Sequence, residues 1–73
     1  MALADRVAVY AGGEMDCVNL QLILAGNGIA VELEPRGAAR AAGFFAPASI
    51  VFVGRADLER AAAIAEDFKQ RNV

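Results

Sequence analysis

The 73-residue chain has no histidine and no tryptophan, a single cysteine at position 17, and only two prolines. A lone cysteine excludes an intrachain disulfide. Without histidine beside it, the usual zinc, haem and iron–sulfur ligand sets are excluded, as are the histidine-based catalytic triads. Basic residues are scarce as well: seven Lys and Arg stand against nine Asp and Glu, a net charge of −2, with a pI near 4.9. That balance lacks the electrostatic footprint of a nucleic-acid binder. Long apolar runs are missing too. The longest uncharged stretch, from Cys17 to Val31, is broken by Asn19, Gln21, Gly26, Asn27 and Gly28 and is too short to span a bilayer. The opening residues, Met1 to Arg6, carry no basic segment followed by an apolar one, so no signal peptide is expected. A cytoplasmic protein without a membrane or nucleic-acid partner is predicted, and a free thiol suits a reducing compartment.

What is present is apolar: 58% of residues are hydrophobic, with a mean hydropathy of +0.42. This is the reverse of the low-hydrophobicity, high-charge composition of disordered chains. Much of that apolar content is alanine, 17 of 73 residues, which buries little area per side chain. A domain this small buries only about 60% of the surface that its unfolded chain exposes. One domain spanning 1–73 is predicted, with an ordered core over about 6–71 and a thin margin of stability.

Arg6–Ala11 alternates and is β-branched, so it reads as a strand that Gly12-Gly13 breaks. Glu14–Ala25 holds no Gly or Pro and places Glu14 and Asp16 in its first turn, where the helix dipole favours acids. Gly28 suits the left-handed residue that closes a helix, with Ile29 folding back onto the last turn. From Ile29 the period becomes two: Ile29, Val31 and Leu33 on one face, Ala30, Glu32 and Glu34 on the other. Pro35–Ala48 reads as a flexible connection. Ser49–Val53 is apolar on both faces, the mark of a central or doubly covered strand. Arg55–Arg71 then repeats Leu58, Ala61, Ala65 and Phe68 at helical spacing, with Ile64 beside them.

The order β-α-β-β-α predicts an α+β two-layer sandwich with both helices on one face of a three-stranded antiparallel sheet. The doubly apolar third strand asks to be central, giving the strand order 2-3-1, a ferredoxin-like arrangement without its last strand. In three places the chain resembles a family of short bacterial domains described as prokaryotic signal-transducing proteins. These are Cys17, Leu20, Ile23 and Leu24 leading into Ala25–Ile29; Gly43–Pro47 running into Ile50–Val53; and Asp57 with Arg60-Ala61. The resemblance spans roughly Val7 to Phe68. It implies a ferredoxin-like fold similar to the PII proteins, a non-enzymatic regulatory role and no catalytic residues. The chain departs from the family pattern in its alanine-rich stretch before Gly43 and in Gly54.

Gly12-Gly13 lacks the further glycines or lysine of a phosphate loop and reads as a plain turn. Cys17, beside Asp16, Val18 and Leu20, reads as a buried small hydrophobe rather than a nucleophile. Glu32 and Glu34 share a strand face and read as solvated. Arg36 and Arg40 are the only charges in the 35–48 connection, and they could grip an acidic partner or an anionic ligand. Phe44 and Phe45 there are candidate partner contacts. At 100° per residue, Cys17, Leu20 and Leu24 line one side of the first helix, while Met15, Val18, Leu22 and Ala25 line nearly the opposite side. Only one stripe can face the sheet, so the second marks a docking surface. Tyr10 and one side of Ile50–Val53 are expected to form another, on the open sheet face.

No catalytic residue, metal or cofactor is expected. The resemblance implies a small regulatory or adaptor module, and the second apolar stripe and the open sheet face lead us to expect protein–protein contact as a homodimer. The alternative is a nucleotide or metabolite sensor whose 35–48 segment folds over its ligand.

Overall fold

The computed structural model describes residues 3, 5–35 and 48–71. They form β1 (Arg6–Gly13), α1 (Glu14–Gly26), β2 (Val31–Pro35), β3 (Ala48–Gly54), a 3₁₀ turn (Arg55–Asp57) and α2 (Leu58–Arg71). Antiparallel β3 lies in the middle of the sheet, in the order β1-β3-β2, which is 2-3-1 counted from the other edge. Its two apolar faces account for that position: one lies under the helices and the other at the centre of the open face. The arrangement is α+β and consistent with a ferredoxin-like fold.

Several boundaries differ from the sequence-based expectation: β2 begins at Val31, because Ile29 closes the helix, and Pro35 and Ala48 belong to strands rather than to the connection between them. Gly12 and Gly13 do not break β1 but extend it. The reason at Gly12 is a close approach: a Cβ there would lie 3.0 Å from the Tyr10 ring, which packs along the strand over this residue. The last helix is also shorter at its start, because Arg55–Asp57 winds as a 3₁₀ turn before α2 begins.

The end of α1 is set locally. Gly28 has φ +77°; its N–H donates to Ala25 O, and the Ile29 N–H donates to Leu24 O, both at 3.0 Å. This is a Schellman closure, in which a glycine takes the left-handed conformation and the following apolar residue turns inward. Ile29 is accordingly buried. The Asn27 side-chain amide adds a bond to Ile23 O at 2.8 Å.

The register places Val53 between Val7 and Val31, and Val51 between Tyr10 and Leu33. Val51 and Val53 are buried and belong to one core with Cys17, Leu20 and Leu24 of α1 and Ala61, Ala65 and Phe68 of α2. Two residues apart on a strand means the same face, so both helices cover one side of the sheet. Small Ala61 and Ala65 at the contact stripe let α2 approach closely. The remaining charges of α2 lie on its outer side, where Arg71 pairs with Asp67 at 3.0 Å.

The register between β1 and β3 shifts between Ala8 and Tyr10. This bulge corrects the placement expected for Tyr10. Strict alternation would send Val7 and Val9 to one face and Tyr10 to the other. With one extra residue on β1, Val7, Val9 and Tyr10 all pack against the core. The Tyr10 ring meets Phe68 of α2 edge to face, with centroids 5.6 Å apart at 87°.

Candidate functional site

The buried thiol belongs to the core. Cys17 Sγ lies 3.4 Å from Ser49 O and 3.8 Å from Gly12 O, and the residue has no solvent exposure. Burial pushes its pKa up from the ordinary 9.0, and the charge of Asp16 adds to the rise. A protonated, enclosed thiol is a poor nucleophile. A thiol-specific reagent should therefore react with the native protein only at the rate at which it unfolds, and promptly in denaturant. Fast labelling of the native form would contradict this placement.

The second feature is the open face of the sheet. Phe52, central on β3, is half-buried there and lies between Ala8 and Glu32 in the register. Arg6 reaches from edge strand β1 across β3 to edge strand β2. Its guanidinium carbon sits 4.1 Å from the Phe52 ring centre. Nη1 contacts Glu32 Oε1 at 3.0 Å and Nη2 contacts Glu34 Oε2 at 2.5 Å. The Glu34 hydrogen bond is the main cause that raises the Arg6 pKa above its ordinary value, with Glu32 contributing. Glu32 also accepts a hydrogen bond from the Leu3 backbone N–H. Glu32 and Glu34 do lie on the outer face, but they are paired across the sheet rather than simply solvated. Sequence reasoning missed Arg6, because its partners become neighbours only when β3 inserts between β1 and β2.

The third feature is the outer side of α1. Cys17, Leu20 and Leu24 face the core, leaving the opposite stripe to solvent. Met15 is 70% exposed and Leu22 65% exposed, and Val18 is half-buried beside them. Ile23, 43% exposed, extends the apolar surface around the helix; it was not among the expected contacts. Asn19 and Gly26 fall within the same sector at 100° per residue, so the patch carries no charge. The charged residues of α1, Glu14 and Asp16, sit in its first turn.

These three features do not converge on one pocket. Met15, Val18 and Leu22 are together on α1, whereas Tyr10 is under α2 and Phe52 is on the far side of the sheet. Arg36, Arg40, Phe44 and Phe45 lie outside the described residues. Among the described residues, no group of three or more Cys, Asp or Glu side chains could hold a metal ion, and no helix is long and apolar enough to cross a membrane. No protein-family model, no curated protein and no solved structure matches the chain.

Proposed function

We propose that the protein is a small, non-enzymatic adaptor that works through protein–protein contact and pairs as a homodimer across the outer face of α1. The observation that carries this reading is the exposure of Met15 and Leu22 on a helix whose other side is fully buried. Contiguous apolar surface of this kind on a soluble domain marks a partner. Small domains also commonly gain stability by oligomerising.

A second copy is the occupant that the charge distribution favours. α1 has no basic residue, and its acids are confined to one end. In an antiparallel two-fold pair the carboxylates of the two copies lie at opposite ends of the contact, and only neutral and apolar side chains meet in the middle. A parallel pair would bring four carboxylates together. Two-fold pairing is also the commonest symmetry of such assemblies. A regulatory role in a bacterial cytoplasm is what the sequence resemblance to the prokaryotic signal-transducing domains implies, and it enters the proposal on that ground alone.

Light scattering on the parent and on Leu22→Glu tests the proposal. Leu22 is already largely in water, so a carboxylate there leaves the fold intact while placing two charges in the shared contact. A dimeric parent and a monomeric variant are the expected results. A parent that stays monomeric at high micromolar concentration defeats the homodimer. The adaptor reading itself is tested by thermal shift against nucleotides and metabolites. A ligand present at 100 times its Kd would add about 2.7 kcal/mol of stability, and such a shift would replace the adaptor with a sensor.

A further inference from the structure

We infer that Arg6 is a latch that closes the open face of the sheet against self-association. Among the described residues, helices cover only one side of this sheet, and no second layer lies on the apolar outer side of β3. A contiguous apolar patch left open on a surface is a liability for self-association. Here the aromatic centre of that face, Phe52, has a guanidinium 4.1 Å above it. The guanidinium is held there by one carboxylate on each of two nitrogens, Glu32 at 3.0 Å and Glu34 at 2.5 Å.

Arginine suits this task for a physical reason. Its planar cation is weakly hydrated on its faces, stacks on an aromatic ring, and still directs its N–H groups sideways to acceptors. It covers carbon with a surface that remains wet at its rim. The anchor is itself supported: Asp5, at φ +49°, accepts a 3.0 Å hydrogen bond from the Arg55 N–H, and Leu3 donates to Glu32. The chain ahead of β1 is thereby turned and tied where Arg6 begins its reach across the sheet.

The latch is independent of the α1 contact. The size of the parent tests the dimer, whereas the change from parent to an Arg6 variant tests the latch. The experiment compares parent, Arg6→Ala, Arg6→Lys and the double variant Arg6→Ala/Phe52→Thr, reading the fluorescence of a hydrophobic-surface dye and particle size by light scattering. Arg6→Ala should bind several-fold more dye and form larger particles than the parent. Arg6→Lys, a compact and strongly hydrated cation, should fall between them. Removing the ring in the double variant should return both readouts to the parental level. If circular dichroism shows that Arg6→Ala is unfolded, Glu32→Gln/Glu34→Gln takes its place, since it frees the guanidinium from its anchors and carries the same expectation of increased dye binding. A folded Arg6→Ala or double-glutamine variant that matches the parent in both readouts overturns the latch. So does excess dye binding that persists after Phe52 is removed.

Discussion

Leu20→Ala should lower the unfolding free energy by about 2–5 kcal/mol, the range for truncating a fully buried leucine. Leu20 has no solvent exposure and sits in the same core as Val51 and Val53 beneath it. The loss combines the transfer energy of the deleted carbons with the cavity they leave. At 0.05–0.15 kcal/mol per residue a chain of this length holds roughly 4–11 kcal/mol in total, and a small core puts it toward the lower end. The variant should therefore be largely unfolded under conditions where the parent is native. Urea titration followed by circular dichroism reads this directly, with the midpoint shifted and the slope unchanged. A variant melting within about 1 kcal/mol of the parent, the size of a typical single-site effect, would show that α1 does not bury this side.

Phe68→Ala should cost about 3–5 kcal/mol, as aromatic truncations in cores do. Phe68 is the last large buried side chain of α2, and its ring meets that of Tyr10 edge to face. Removing it leaves the bulged strand without its contact at that end of the helix. A double-mutant cycle with Tyr10→Leu and Phe68→Leu isolates the ring pair from the lost volume. A coupling of about 0.5–1.5 kcal/mol is expected for an edge-to-face pair. Zero coupling would mean that the two rings merely fill space independently.

Local features of this fold are readable in the chain because their causes are local. Gly28 followed by Ile29 announces the Schellman closure, and the doubly apolar Ile50–Val53 announces a central strand. The two stripes of α1 could also be separated, and Met15 and Leu22 stand on the exposed one. What escaped the sequence depends on pairing between distant segments. The bulge arises from the register of β1 against β3, and alternation within Arg6–Gly13 alone carries no sign of it. Tyr10 was therefore assigned to the wrong face. Arg6 was overlooked for the same reason, since its ring and its carboxylates come from two other strands. Gly12 reads as a strand breaker because the Tyr10 ring that packs closely over it is visible only in three dimensions.

The central position of β3 also governs the order in which this protein can assemble as it is made. Among the described residues, β1 and β2 have backbone pairing only with β3, and β3 follows both of them in the chain. Until it emerges, two strands wait without hydrogen-bond partners beside a helix of 13 residues, a length that is marginal in water by itself. The described sheet thus forms only when β3 arrives, and it pairs β3 with the distant β1, Arg6 against Gly54. Such distant pairing is slow relative to local contacts. Among the described strands, β1 and β2 have no backbone pairing to offer each other, which makes the arrival of β3 the step that commits them to this sheet.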